Sequence, residues 1–409
     1  MIKHLLKMVW NRKRINGLIM IEIFVSFLVL FVVLTATAFY VSNYYKPLGY
    51  SIDGVWSIHV DSRLPGKGYD KVRSDGLIQL ENTMKDLPEI ESVGYMWAPP
   101  YEHSTWIGGK TMNGQSIDVD INQASDEIQH VLAMPLIAGR WFSAEDNASL
   151  NIAHPDQGTG PGQEQLAYKP VVINESYARL IFGSNDPIGK SPLDSTCRIV
   201  GVVKEFRKAG EFSSPVYSQI QRIWLEDTSQ VKYGFFLIHV HEGTTIAFQE
   251  KLVRTLASVE KDWSFDVKPL STSREADFKL WLAPLIAGGI VAAFLLIMVA
   301  LGLIGVLWQN VTQRTREIGL RRALGGTAKN VSWQIHGEQL TITTLSVLAG
   351  SILVLQLPLL DLIGFIRPEI YFTALVLSLI LIYILTYLCS IFPSWMAMDI
   401  EPAEALHYD

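Results

Sequence analysis

Residues 183–191 read GSNDPIGKS, a run bracketed by glycines that ends in Lys-Ser. A phosphate-cradling P-loop has four residues between its glycines and follows a strand, so that its amides and its lysine wrap the phosphates. Here five residues separate Gly183 from Gly189, and the run follows a helical pattern. A turn shaped by Pro187 and Gly189 is expected instead of a nucleotide site. His239 and His241 lie two apart in a strand-like run, where they would share a face as two metal ligands do, but no third ligand is near in sequence. Ser, His and Asp occur without a Gly-x-Ser-x-Gly elbow. No catalytic residue, metal or cofactor is expected.

A different chemistry is written at residues 310–325, NVTQRTREIGLRRALG. Arg314, Glu317 and Arg321 are spaced i, i+3, i+7 and share one helical face, while Leu320, Ala323 and Leu324 fall on roughly the opposite face. Gly325-Gly326 should end this helix, and Thr327 can cap the next. A short two-faced helix bounded in this way is built to dock a partner.

The elements that must position it are membrane spans. Only 18% of the 409 residues are charged, against about 25% in soluble chains, and the deficit is confined to a few long stretches. Spans are expected at 17–43, 282–308, 340–360 and 371–394. The first is longer than the core of a signal peptide and is followed by Tyr40, Tyr44 and Tyr45, so it reads as a retained anchor. Glu22 falls inside it, where it would meet the interface or a neighbouring helix.

Basic residues set the orientation. Lys3, Lys7, Arg12, Lys13 and Arg14 precede the first span; Arg314, Arg316, Arg321, Arg322 and Lys329 lie between the second and third; Arg367 stands alone between the third and fourth. Segments 1–16, 309–339 and 395–409 are therefore expected in the cytoplasm, and 44–281 and 361–370 outside it, in a protein of the inner membrane. Residues 44–280 hold 23 Lys and Arg against 31 Asp and Glu, about −8, which argues against nucleic acid as a partner. Cys197 and Cys389 fall in different compartments and should not pair.

The outer segment reads as an α+β domain. Strand, helix and strand patterns at 55–60, 76–87 and 90–97 are matched by a second set at 235–240, 246–259 and 265–270, which suggests two βαβ units. Residues 98–165, rich in Gly, Pro, Asn and Asp, read as an inserted subdomain with a flexible loop at 147–165. Residues 171–173, 175–182 and 198–203 are expected to return the chain to the core. The spans offer little polar lining beyond Thr341, Thr343 and Thr344, which suit helix packing. Such helices suit the transmission of force better than the lining of a pore.

At TREIGLRRALGG, 315–326, the sequence resembles the MacB/FtsX-like permease family of ATP-binding-cassette (ABC) systems. FPSWMAMDIEPAEAL at 392–406 is similar to that family's closing signature, apart from His407 where Arg is common. VVINESYARLIFGSNDPIGK with RIVGVVKEF, and MPLIAGRWFSAED before them, resemble its periplasmic core. The resemblance implies a non-enzymatic permease subunit, paired with a second copy or paralogue and bound to a separate ABC ATPase. It implies contact with membrane lipid, and with an extracytoplasmic adaptor or substrate protein. Arg314, Arg316, Glu317, Ile318, Gly319, Arg321, Arg322, Leu324 and Gly325 would form the ATPase-coupling element. A long helix from about Thr272 through the second span would carry the motion outward. Export is the expected output; lipoprotein extraction and cell-wall hydrolase control use the same mechanism. Competing classes are a ligand sensor, which would need a cytoplasmic output domain, and an anchored enzyme, which would need a site.

Overall fold

The computed structural model describes residues 13–61, 70–112, 114–143, 145–146, 168–193, 196–225, 234–325, 327–360 and 366–399. Lys3, Lys7, Arg12, the loop at 147–165, most of the 361–370 connection, Gly326 and the tail from 400 onward with His407 lie outside these residues. The chain forms two compact units, a helical one from Met1–Ser42 and Trp281–Asp409, and a sheet domain, Asn43–Leu280.

Among the described residues four helices are long and apolar enough to cross a membrane. They are α1 (Lys13–Tyr44), α6 (Leu270–Gln313), α8 (Ala328–Val354, continued by the single turn α9, Gln356–Leu359) and α10 (Pro368–Asp399). Ile19, Ile23, Phe27, Leu30 and Phe31 form a buried stripe on α1 at helical spacing. It packs with Val299 and Leu303 of α6, Ile342 and Val347 of α8, and Ala374 and Ile382 of α10.

The seam between α8 and α10 is lined by small and hydroxyl side chains. Thr343 donates to Thr386 (3.2 Å), Thr344 meets Tyr383 (2.9 Å), and Ser332 meets Ser394 (2.5 Å). Small residues let backbones approach, and hydroxyls bridge helices where no water competes. Two glycines admit neighbours. A Cβ on Gly350 would lie 2.5 Å from Cδ1 of Phe27, and one on Gly302 would lie 2.8 Å from Oε2 of Glu22. The Glu22 carboxyl thus rests in a notch on α6. Pro284 interrupts the hydrogen-bond ladder of α6, since its nitrogen cannot donate to the carbonyl of Leu280.

Among the described residues the sheet domain carries a ten-stranded sheet in the order β10-β1-β9-β2-β4-β8-β6-β7-β5, with β3 paired to β4. Its strands are β1 (Val55–Asp61), β2 (Ile90–Met96), β3 (Ile107–Met112), β4 (Gln115–Ala124), β5 (Leu136–Gly139), β6 (Lys169–Asn174), β7 (Cys197–Val203), β8 (Tyr217–Arg222), β9 (Phe235–Val240) and β10 (Ser264–Pro269). The helices are α2 (Asp70–Lys85), the short α3 (Ile128–Val131), α4 (Glu175–Phe182) and α5 (Ala247–Val259).

The two expected βαβ units interleave into one layer. β9 runs antiparallel between β1 and β2, with Ile58 opposite Phe236, and β10 flanks β1. This is the split βαβ arrangement. Leu77, Leu80 and Met84 of α2, and Phe248, Leu252 and Leu256 of α5, cover these four strands with apolar side chains at helical spacing.

The remainder departs from the expectation. The segment read as an insertion over 98–165 does not close on itself. Its β4 pairs parallel with β8, and its β5 pairs with β7. Strands β6 and β7 pair with each other and, through β6, with β8, so by strand pairing the 169–222 segment joins the inserted strands, while Val172, Val203 and Ile220 share a buried core with Val55 and Leu237 of the flanking units. A single register pair, Met96 with Ala124, links the two halves of the sheet. Tyr177 and Ala178 of α4 pack on Val171, Ile173, Ile199 and Val202 beneath it. Cys197 and Cys389 lie in different units; both are buried, and neither forms a disulfide.

Candidate functional site

The residues singled out in the sequence fall on α7 (Thr315–Ala323) or flank it, Arg314 before it and Leu324 and Gly325 after it, between α6 and α8. The helix ends as its sequence dictates. Gly325 takes a positive φ of 97°, the left-handed conformation that ends a helix at little cost to glycine. The Thr327 hydroxyl accepts the amide of Asn330 (3.3 Å) and caps α8.

The structure sorts the residues into an inward and an outward set. Arg314 precedes α7 and binds both carboxylate oxygens of Glu338 on α8, at 2.9 and 3.1 Å. Arg321 bonds Glu317 (2.6 Å) and also Gln334 of α8 (2.8 Å), and Gln334 donates to Glu338 (3.2 Å). Ile318 is buried with Val311, Val331 and Ala397, and Gly319 is buried beside it. Arg316, Leu320, Leu324 and Gly325 face outward. Leu320 is 50% exposed and Leu324 80%, and Trp333 of α8 is 64% exposed. Arg322 lies on α7 in sequence.

Arg314, Glu317 and Arg321 are therefore brought together as sequence spacing indicated: Arg314 and Arg321 bond residues of α8, while Glu317 bonds Arg321 and, like it, stays about half exposed. Glu338, Gln334 and Trp333 were missed because they lie beyond the Gly-Gly break. Their only sequence signal is i, i+4 spacing of Gln334 and Glu338 along α8.

The other motifs resolve into structure. Gly183 caps α4 with a φ of 61°, donating to the carbonyl of Arg179 (2.9 Å). The amide of Gly189 bonds the carbonyl of Ile199 (2.8 Å), and that of Ile199 bonds the carbonyl of Lys190 (2.9 Å), so the P-loop lookalike is a turn pinned to β7. Nδ1 of His239 lies 2.8 Å from Glu91 Oε2, whereas His241 lies just beyond the end of β9 and does not share its face. Among the described residues no three His, Cys, Asp or Glu form a metal-binding group.

A second constellation ties together the two ends of the sheet domain's chain. Arg207 is fully buried. Its guanidinium donates to the carbonyls of Asn43 (3.0 Å), Lys46 (2.9 Å) and Ser213 (2.6 Å), and to that of Glu211. Burial lowers its pKa from the ordinary arginine value. The Glu211 carboxylate accepts from Arg274 near the start of α6 (2.5 Å) and from the hydroxyl of Tyr101 (3.3 Å), whose phenol burial pushes above its usual range. The loop 207–213 thus grips the end of α1 and the root of α6 at once.

Fold and site together define a multi-span membrane protein whose mixed-sheet domain lies between its first and second spans. Comparison with known proteins agrees. Residues 19–255 match the MacB-like periplasmic core domain and residues 289–402 the FtsX-like permease C-terminal domain. The chain belongs to the MacB/FtsX-like family of ABC transporter permeases.

It is 24% identical over 308 residues, 73% of this chain and 45% of the relative, to the macrolide export ATP-binding/permease protein MacB of Marinobacter nauticus. It is 24% identical over 314 residues, 71% of this chain and 42% of the relative, to the pyoverdine export ATP-binding/permease protein PvdT of Pseudomonas syringae pv. syringae. The chain spans less than half the length of each. The periplasmic region of MacB from Actinobacillus actinomycetemcomitans overlays with a TM-score of 0.35 at 17% identity, covering 56% of this chain and 94% of that one.

Proposed function

We propose that this chain is the membrane-spanning subunit of an ABC export system, in which a separate cytoplasmic ATPase subunit docks on the outward face of α7 and its motion passes along α6 to the sheet domain. The observation that carries the reading is the two-faced packing of α7. Its inner face is fixed by Arg314–Glu338 and by buried Ile318, while Arg316, Leu320 and Leu324 stay open. A helix held on one side and apolar and basic on the other supports docking.

α6 suits transmission. It is one helix of 44 residues, about 66 Å at 1.5 Å per residue. Its lower part packs on the buried stripe of α1 and its root is gripped by Glu211. The basic flanks support a cytoplasmic α7 and a sheet domain outside, in a protein of the cytoplasmic membrane. Export is supported by relatives named for macrolide and pyoverdine export. The working unit pairs this chain with a second permease copy or a paralogue, each bound to an ATPase subunit.

The test is co-purification in mild detergent from the source organism. An ABC ATPase should accompany the native chain. Arg316→Glu combined with Leu324→Glu should abolish that association and leave thermal unfolding unchanged. ATPase recovery equal to the native chain's would sink the docking assignment; its absence from the native preparation would sink the whole reading.

A further inference from the structure

The root of α6 overlooks a cleft of about 300 Å³ inside the sheet domain. Leu270, Ser273, Asp277 and Leu280 line it from the helix side at i, i+3, i+7 and i+10, a single face. Pro99, Pro100 and Phe235 supply apolar lining from the sheet domain's other elements, with Ser57 and Tyr101 among them. The charge at its floor is a carboxylate. The Asp277 side chain is 2% exposed, and Nε2 of His103 covers it at 3.1 Å from Oδ1. His103 itself is 53% exposed, so it sits as a cover on the acid and not as part of a buried core.

The floor is closely built. Gly210 has a φ of 81°, and a Cβ there would lie 2.9 Å from Asp277 Oδ2 and 3.0 Å from the ring of Tyr101. Only glycine lets this loop close against the acid. At the rim Glu102 adds a second carboxylate, accepting from the Ser104 hydroxyl at 3.2 Å. The rim's one lysine, Lys268, is paired to Asp266 at 3.1 Å.

A cleft with apolar walls and a few converging polar groups is the usual form of an organic ligand site. A buried carboxylate there favours a cation able to replace the imidazole. An anion would face Asp277 and Glu102. Among the described residues no three His, Cys, Asp or Glu form a group that could hold a bare metal ion, here or elsewhere.

We propose that this cleft binds an amphiphilic organic cation, its ammonium on Asp277 in place of His103 and its apolar body against Pro99, Pro100 and Phe235. Binding requires neither an ATPase nor transport, so the site stands or falls separately from the docking at α7. That such a cation is the exported cargo rests on the export reading.

The experiment uses the full chain in lipid nanodiscs without ATPase or nucleotide, titrated by calorimetry with 3-phenylpropylammonium, 3-phenylpropanol and 3-phenylpropanoate. The ammonium should bind at least tenfold more tightly than the alcohol, and the carboxylate more weakly than either. Asp277→Asn should erase the preference for the ammonium. Ala276→Trp, which fills the cleft from an exposed position and leaves the acid intact, should abolish binding; His103→Ala should preserve or tighten it. Equal affinity for ammonium and alcohol in the native chain overturns the proposal. So does unchanged ammonium binding in Ala276→Trp, which decides the matter alone if Asp277→Asn does not fold.

Discussion

Arg314 directs one nitrogen at both oxygens of Glu338, 2.9 and 3.1 Å away, across the break that separates α7 from α8. Both side chains are about one-fifth exposed, 20% and 18%, so the pair is partly shielded from solvent. Removing Glu338 should loosen α7 from its seat, with a coupling of about 1 kcal/mol in a double-mutant cycle with Arg314→Gln. Hydrogen exchange over 315–323 should quicken in Glu338→Gln and be no faster in the double variant. Unchanged exchange would show that Ile318 alone seats the helix.

Helix packing is tested at two glycines. Gly350 meets Phe27 so closely that an added Cβ falls 2.5 Å from its ring, whereas nothing lies within 4 Å of the position at Gly305. Overpacking of this kind costs about 1–3 kcal/mol. Gly350→Ala should lower the Tm of the detergent-solubilised protein, and Gly305→Ala should not. Equal Tm values would mean that α1 and α8 are less tightly packed than described.

Arg207 makes its case by what it leaves behind. Arg207→Met would remove a donor from four buried or partly buried carbonyls, those of Asn43, Lys46, Glu211 and Ser213. Breaking a buried charged network costs about 3–5 kcal/mol, enough to unfold many domains. Arg274, 42% exposed on its pair with Glu211, should cost far less as Arg274→Met. Chemical denaturation followed by tryptophan emission separates the two; comparable losses would contradict the central role of Arg207.

Acid sensitivity is expected at Asp146. Burial tends to raise its pKa, but hydrogen bonds from Arg140 at 2.6 and 2.8 Å and from the amide of Ser143 outweigh burial and hold it below its ordinary 3.8. A carboxyl depressed on folding stabilises the fold above its unfolded pKa, and that contribution disappears as pH falls through the lower, folded value. Native and Asp146→Asn proteins should therefore differ in Tm at pH 6, and the gap should close as pH falls through the depressed folded pKa of Asp146. A gap that persisted in acid would assign the effect to packing.

The long apolar runs made the spans readable, because a bilayer demands some 20 apolar residues in a row. Their ends were less readable. A helix need not stop where the hydrocarbon does, and α6 begins at Leu270 and α8 at Ala328, before the apolar stretches proper. The paired βαβ patterns were visible since Leu77, Leu80 and Met84 repeat at helical spacing between alternating strands. The joining of β4 to β8 was not. Those strands are separated by some hundred residues, and strand pairing at that range leaves no local trace. For the same reason the charged face of α7 could be drawn from Arg314, Glu317 and Arg321, while Glu338, which decides what that face touches, could not.

The two buried thiols bear on how motion in this protein can be watched. Cys197 is 2% exposed and Cys389 6%, and the chain has no other cysteine. A maleimide reagent applied to the native protein should leave both largely untouched, since it needs an accessible thiolate. A cysteine placed at Leu324, or a pair placed along α6, would then be the reactive site in an otherwise unaltered sequence. Spin labels or fluorophores could report movement during ATP turnover without first stripping the protein of its own sulfur.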